Sequence, residues 1–279
     1  MARPLRVEYP GALYHVTSRG NAKNSIFLTD KDRFCFLEIL KNVCDTHNWI
    51  CYAYCLMDNH YHLLIESVDA TLSSGMRDLN GVYTQRFNYL NDSVGHIFQG
   101  RFKSFVIEKE FYLLRVARYT VLNPVRAGLV RHPRDWRWCS YNETIGNSKA
   151  ILIKPEPLLE IFGDDLVGAT EEYKIFVEEG VDEKSPFEEI DEGVILGSPQ
   201  FVSLVQEKTQ SKEKIKEIPR SERIVGRPTF SDLFDEIENV KDRNNAIIFA
   251  RNRCGYLIAE IARHLDIDPS TAGKIVKKG

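Results

Sequence analysis

Strand-like and helix-like patterns alternate along the first 146 residues, and their order limits the possible folds more than any other feature of the sequence. Alternation between apolar and polar side chains predicts strands, and apolar residues three or four positions apart predict helices. The predicted order is strand, helix, strand, strand, helix, strand and helix. The corresponding segments are residues 14–18, 29–48, 50–57, 60–66, 71–90, 98–108 and 110–122.

This order is that of a split βαβ unit, the ferredoxin-like α+β fold. We expect four antiparallel strands, two helices on one face of the sheet and a last helix that is free to lie near it. The turn pair Asp58-Asn59 would join the second and third strands into a hairpin. The last helix should end at Leu122, because Pro124 disfavours a helical conformation in the residue before it. The predicted first domain spans residues 1–146.

Three further parts are predicted after the first domain. Residues 147–206 contain paired carboxylates and prolines, which favour an acidic connector of short, solvated helices. Residues 207–229 are charged and poor in large apolar side chains, which predicts a flexible linker. Residues 230–279 predict an all-α helix-turn-helix domain, with Pro269 in the first turn of its last helix.

The net charge of −3, from 37 basic and 40 acidic residues, does not by itself indicate a partner. The distribution of the charge along the chain is more informative than the total. Residues 1–146 carry 18 basic and 14 acidic residues, residues 147–192 carry 4 and 14, and residues 193–279 carry 15 and 12. The predicted first domain and the C-terminal part are therefore mildly basic, and the acidic connector lies between them.

Nothing in the sequence predicts a membrane or secretory protein. No apolar run approaches the roughly 20 residues of a membrane-spanning helix, and no secretory signal precedes the first strand. The six cysteines lack the spacing of a disulfide framework. We therefore expect a cytoplasmic protein without a membrane partner.

Two histidines stand two positions apart on the third predicted strand. Because side chains alternate along a strand, His60 and His62 lie on one face, close enough to share a metal ion, and Tyr61 lies on the other. The apolar run Leu63-Leu64-Ile65 continues the strand into the core of the sheet. The pair is half of a metal site on an ordered element.

A tyrosine and an asparagine on the last helix could complete the site. Tyr119 and Asn123 are four residues apart and share one helical face, so the amide oxygen of Asn123 could act as a ligand beside the Tyr119 hydroxyl. A phenol with a pKa near 10 is a poor nucleophile at neutral pH. Its attack on a phosphodiester would need a divalent ion. Two imidazoles and one amide fit Mg²⁺ or Mn²⁺, and imidazole favours Mn²⁺.

Four sequence blocks resemble, in the same order, those of the REP-associated tyrosine transposases, a branch of the IS200-like single-tyrosine HUH transposases. The blocks are residues 14–21, 57–65, 98–104 and 119–130. Two positions depart from the family pattern: Asp58 stands where proline is common, and Tyr61 replaces an aliphatic residue between the histidines.

The resemblance implies a ferredoxin-like HUH nuclease that binds single-stranded DNA next to a hairpin. It also implies cleavage by Tyr119, which would leave a 5′-phosphotyrosine and a free 3′-OH, followed by strand rejoining. His60, His62 and Asn123 would hold the metal ion.

Basic, polar and aromatic residues within or beside these blocks suit DNA, because cations can pair with phosphates while bases stack on aromatic rings. The predicted contacts in the first domain are Arg19, Asn21, Gln99, Arg101, Lys103, Arg118 and Arg126. In the C-terminal domain they are Ser270, Thr271 and Lys274, which would contact duplex DNA. Residues 251–262 resemble the DNA-binding helix-turn-helix of the replication initiator DnaA.

Alternatives remain at this point. The fold could serve a non-catalytic DNA-binding regulator, although a pure binder has no need of the combined set His60, His62, Tyr119 and Asn123. A metal-dependent phosphoesterase of small molecules would not explain the C-terminal domain. That domain could be a packing unit instead of a DNA-binding one. The sequence leaves open whether the protein is a monomer or a homodimer.

Overall fold

The α+β order predicted for the first part of the chain is confirmed in the computed structural model. The structure describes residues 7–148, 152–190, 194–216, 230–234, 237, 239–252, 256 and 258–278. Up to the end of the last predicted helix, the elements are β1 (Ala12–Arg19), α1 (Asp30–His47), β2 (Trp49–Leu56), β3 (His60–Ser67), α2 (Leu72–Leu90), β4 (Lys103–Ile107) and α3 (Lys109–Arg126). They are followed by α4 (Tyr141–Thr144), α5 (Glu156–Leu159), α6 (Leu166–Glu179), β5 (Ile195–Leu196) and α7 (Pro199–Lys216).

One sheet with the strand order β2-β3-β1-β4-β5 forms the centre of the first unit. The first four strands pair antiparallel, as expected. The short strand β5 pairs in parallel with β4, through Val106 with Ile195 and Ile107 with Leu196. Since β5 comes from the predicted connector, this part of the chain extends the sheet.

The two faces of the sheet have separate hydrophobic cores. Tyr14 and Val16 of β1 belong to the core shared with α1 and α2. Leu13, the neighbour of Tyr14, belongs to the core that contains buried residues of α3. Side-chain alternation along β1 thus divides the molecule into an α1/α2 face and an α3 face. The last predicted helix lies on the face opposite the other two.

Helix α3 corrects the predicted end at Leu122, because it continues through Pro124 to Arg126. A proline cannot donate a hydrogen bond to the carbonyl four residues before it. That carbonyl, of Thr120, instead accepts a hydrogen bond from the side-chain amide of Asn123 at 3.3 Å. The side chain therefore satisfies the group that the proline leaves without its usual donor.

The predicted strand over residues 98–108 is also shorter than expected. Only Lys103–Ile107 forms β4, and Phe98 makes an isolated bridge to Gly20. Gly100 adopts a left-handed conformation with φ of +70° between them. The turn at that glycine separates the bridge from the strand.

The acidic connector packs against the first domain, which corrects the expectation of solvated helices. The first compact unit ends at Lys208 and the second begins at Thr209. Leu158 of α5 and both Tyr173 and Val177 of α6 are buried in the core on the α3 face. Residues 207–216 of the predicted linker lie within α7, and residues 217–229 lie outside the described part of the chain.

Beyond the end of α7, the second unit contains four described helices, over the residues for which a helix-turn-helix was predicted. They are α8 (Phe230–Phe234), α9 (Val240–Asn252), α10 (Ile258–His264) and α11 (Pro269–Lys278). Phe234, Ile247 and Ile261 share a small core. A side-chain oxygen of Asp268 accepts a hydrogen bond from the backbone N–H of Ser270 at 2.7 Å, which caps the start of α11.

Two glycines of α2 give a stability prediction. A Cβ at Gly75 would lie 2.2 Å from the indole ring of Trp49, whereas a Cβ at Gly81 would meet nothing within 4 Å. We expect Gly75→Ala to lower the free energy of unfolding by about 1–3 kcal/mol through overpacking. Gly81→Ala should raise it by about 0.5–1 kcal/mol, because alanine is the better helix former. Urea unfolding of both variants measures the difference, and a stabilised Gly75→Ala protein would contradict the close packing of α2 on Trp49.

Candidate metal and nucleophile site

Strand pairing gathers the candidate residues on the α3 face of the sheet. His60 of β3 lies opposite Arg19 of β1, and His62 lies opposite Thr17. Thr17 also lies opposite Lys103 of β4. Side chains that are directly paired across antiparallel strands project from the same face. The two histidines therefore lie beside two cations at one end of the sheet.

The two histidine rings are adjacent and each has one nitrogen in a hydrogen bond. Their ring centroids are 5.0 Å apart. Nδ1 of His60 lies 2.6 Å from Oδ1 of Asn59, and Nδ1 of His62 lies 3.0 Å from Nε2 of His15. Nε2 of His62 is buried and has no hydrogen-bond partner among the described residues.

Burial keeps these imidazoles neutral. It lowers the pKa of His15 to about 3. Burial, together with the positive charge of Arg19, lowers the pKa of His60 to about 4. The pKa of His62 falls well below its usual range, chiefly through burial and also through the neighbouring histidines. Neutral imidazole is the form that binds metal ions.

Helix α3 brings Tyr119 to the histidines. The Tyr119 ring is half-buried, and its centroid lies 6.0 Å from the ring of His62 and 5.9 Å from the ring of His15. One turn later, the amide nitrogen of Asn123 donates to the backbone carbonyl of Tyr119 at 2.9 Å. This bond leaves the amide oxygen of Asn123 as the atom that could serve as a metal ligand, and no described contact joins that oxygen to either histidine.

The residues present fit a divalent ion. Within the described ranges, no group of three or more His, Cys, Asp or Glu side chains is arranged to hold a metal ion. The candidate set has two imidazoles and an amide, and amides also serve as ligands for hard cations. Hydrogen-bonding of the second ring nitrogen, which is typical of metal-binding histidines, occurs at both His60 and His62. The buried, unpartnered Nε2 of His62 is the clearest sign of a missing ligand partner.

The comparisons with known proteins agree with the resemblance seen in the sequence. Residues 9–121 match the family described as "Transposase IS200 like". This stretch is similar to the IS200-like transposases. The matched residues 9–121, which contain the histidines and Tyr119, are called the transposase module below.

Two solved structures were also compared. One is a REP-associated tyrosine transposase bound to a REP hairpin, with 20% identity over 54% of this chain and 90% of that chain, and a TM-score of 0.45. The other is a candidate transposase from Deinococcus radiodurans R1, with 14% identity over 42% of this chain and 95% of that chain, and a TM-score of 0.32. No curated protein matches the chain. The similarity of residues 251–262 to DnaA stays a prediction.

A short connector segment, residues 185–190, lies over Tyr119 of the transposase module. The Phe187 ring is 5.3 Å from the Tyr119 ring and 4.5 Å from the His15 ring. Glu189 anchors the segment through an ion pair with Arg115 at 2.5 Å. The crevice beside Tyr119 has a volume of only about 10 Å³. A phosphate group does not fit there while the segment is in place.

Two of the predicted DNA contacts also face the connector. Arg118 is buried, forms an ion pair with Glu183 and donates to the carbonyl of Phe176 at 3.0 Å. Arg126 donates to the carbonyls of Gly180 and Glu183. Its guanidinium lies 5.3 Å from the centre of the Tyr119 ring. Both arginines therefore hold the connector against α3 in this structure.

The other predicted DNA contacts are exposed. In the transposase module they occupy the end of the sheet that carries His60, and they are Arg19, Asn21, Gln99, Arg101 and Lys103. The backbone joins them closely, since Gln99 N–H donates to the Arg19 carbonyl at 2.8 Å. A cavity of about 550 Å³ opens at Asn21 and is also lined by Asn80 and Phe98. In the second unit, Ser270, Thr271 and Lys274 are exposed on α11.

One residue at this site escaped the sequence analysis. His15 was predicted only as part of a strand, yet it is 2% exposed and bonded to His62. Its relation to His62 depends on the register between β1 and β3, which pairs His62 with Thr17, two positions from His15. The alternation of β1 placed His15 on one face of a strand, but no local pattern indicates the register between β1 and β3.

The charge of Arg19 gives a measurable effect on His60. Arg19→Gln removes a nearby positive charge that disfavours protonation, so the pKa of His60 should rise from about 4 towards 6.5. Arg77→Gln, at an exposed arginine of α2, is the matched control and should leave it unchanged. Proton NMR titration of the His60 ring in metal-free protein measures both. An unchanged pKa in Arg19→Gln would refute the electrostatic contact.

Proposed function

We propose that the transposase module is a metal-dependent endonuclease and strand transferase that acts on single-stranded DNA next to a hairpin. The observation that supports it best is the placement of the Tyr119 ring 6.0 Å from the ring of His62, on one face of the sheet. A DNA-binding regulator would have no use for a tyrosine packed against two neutral histidines.

The chemistry is a transesterification. Oη of Tyr119 forms a bond to phosphorus while the bond from phosphorus to the 3′ oxygen breaks. The phenolic proton passes to solvent water, and the leaving 3′ oxygen takes a proton from solvent water. His60, His62 and Asn123 would hold Mg²⁺ or Mn²⁺, and the bound ion would polarise the scissile phosphate. The bond between Tyr119 and phosphorus is itself a phosphate ester, so the number of ester bonds does not change. A 3′-OH can therefore attack this ester and rejoin strands without a nucleotide cofactor.

Exposed residues near His60 would bind the substrate strand. Arg19, Arg101 and Lys103 can pair with phosphates, and the cavity at Asn21 has room for an unpaired base. Asn21 and Gln99 offer amide groups to base edges. This grouping differs from the predicted one, because Arg118 and Arg126 become part of the contact with the connector.

The nucleophile is tested with a tyrosine variant. Incubation with hairpin-bearing single-stranded DNA and Mn²⁺ should give a covalent protein–DNA adduct that survives a denaturing gel. Tyr119→Phe should abolish the adduct, because a phenyl ring has no nucleophilic oxygen, and omission of the metal should have the same effect. Tyr112→Phe, two turns earlier on α3, is the control and should retain it. No adduct in wild type, or an equal adduct in Tyr119→Phe, would eliminate the catalytic role and favour the non-catalytic regulator.

The cover over Tyr119 gives a second functional prediction. Phe187→Ala removes the ring that packs on Tyr119 and His15, contacts that contribute about 1 kcal/mol to the covered arrangement. The initial rate of adduct formation should therefore rise roughly fivefold through a larger uncovered population. Phe162→Ala, another connector aromatic that packs on Tyr173, is the control. A slower or unchanged rate in Phe187→Ala would show that the segment does not limit access.

We also propose that α11 of the second unit binds duplex DNA. Lys274→Gln should weaken duplex binding and lower the slope of log affinity against log salt by about one, as expected for the loss of one phosphate contact. Lys174→Gln in α6 is the matched control. Deletion of residues 230–279 should reduce duplex affinity further and leave single-strand cleavage intact. Equal duplex affinity of the full-length and shortened proteins would disprove this role.

A further inference from the structure

His15 is a buried polar side chain that the proposed chemistry does not yet use. It lies on β1 within a cage of rings, with Phe187 at 4.5 Å, His62 at 5.2 Å and Tyr119 at 5.9 Å between ring centroids. Phe105 of β4, its direct strand partner, lies at 6.5 Å. These contacts leave the imidazole little freedom to turn.

The nitrogens of His15 and His62 can share only one proton in their contact. Nε2 of His15 and Nδ1 of His62 are 3.0 Å apart, so one donates and the other accepts. A metal ion can bind Nε2 of His62 only when that nitrogen carries a lone pair. In a neutral ring, the proton must then be on Nδ1, and His15 must be the acceptor.

The burial of His15 argues against a purely structural role. Its Nδ1 is buried and has no hydrogen-bond partner in the described part of the chain. A buried polar atom without a partner costs stability. A leucine or methionine would fill much of the same space without that cost, so the imidazole must be there for the bond to His62.

We propose that His15 is a positioning residue: it accepts the Nδ1–H of His62 and thereby presents the Nε2 lone pair of His62 to the divalent ion. The inference rests on the proposed function, which supplies the ion. Hydrogen bonds of this kind fix the tautomer and orientation of metal-binding histidines, and their loss weakens metal affinity by about 10- to 100-fold. Asn59 holds Nδ1 of His60 in the same way.

The test measures the affinity of the full-length, DNA-free protein for Mn²⁺ by electron paramagnetic resonance. His15→Leu should weaken Mn²⁺ binding by about 10- to 100-fold. His15→Gln should bind nearly as well as wild type, because the glutamine oxygen can accept the same hydrogen bond. His47→Leu, at a histidine bonded to Asp78 away from the site, is the control and should bind normally. Normal binding by His15→Leu, or no rescue in a folded His15→Gln, would overturn the proposal.

A second measurement needs no variant and no metal. Imidazole nitrogen NMR of metal-free wild type should show His62 protonated on Nδ1 with Nε2 free. Protonation on Nε2 instead would overturn the proposal, even if His15→Leu failed to fold. If the proposed function itself is wrong, the result differs. Wild type would not bind Mn²⁺, and His62→Ala would not change the measured Mn²⁺ affinity. The tautomer of His62 would then still decide the role of His15.

Discussion

The double pairing of β1 is the constraint on which the rest of the site depends. This strand lies between β3 and β4, and its register sets Thr17 beside both His62 and Lys103. A slip of one residue between β1 and β3 would move the side chains of β3 to the opposite face of the sheet. His60 and His62 would then face α1 and α2 instead of Tyr119. The register is held by buried side chains on both faces, such as Leu13 on one and Tyr14 on the other.

Local periodicity was enough to predict the elements and part of the site. The alternation around His60 and His62 placed both on one face, and the four-residue spacing of Tyr119 and Asn123 placed these on one side of a helix. Contacts between residues far apart in the sequence could not be predicted from local periodicity. His15 and His62 are separated by 47 positions, and only the register brings them together. The parallel strand β5 likewise depends on a connection of many residues that no local pattern indicates.

The acidic connector shows how composition can mislead. Its paired carboxylates suggested a solvated surface, although Tyr173 and Val177 of α6 are four residues apart and buried on one side. Its negative charge meets the positive charge of α3, through Glu183 with Arg118 and Glu189 with Arg115. Part of the charge asymmetry along the chain is therefore used in ion pairs within the first unit.

No helix in the described part of the chain is long and apolar enough to cross a membrane.

The continuation of α3 through Pro124 affects three groups at the site: the Thr120 carbonyl, the Asn123 amide and the Arg126 guanidinium. The proline removes the donor that the Thr120 carbonyl would normally have, and the amide nitrogen of Asn123 replaces it. That bond fixes which end of the Asn123 amide is committed to the helix, so its oxygen remains for a ligand. The added turn also carries Arg126, whose guanidinium lies over the Tyr119 ring. Had the helix ended at Leu122, the amide would be free to turn and the arginine would no longer be held about two turns beyond the tyrosine. Pro124, which was expected to stop the helix, thus orients the amide of Asn123, the proposed metal ligand, and keeps a cation beside Tyr119, the proposed nucleophile.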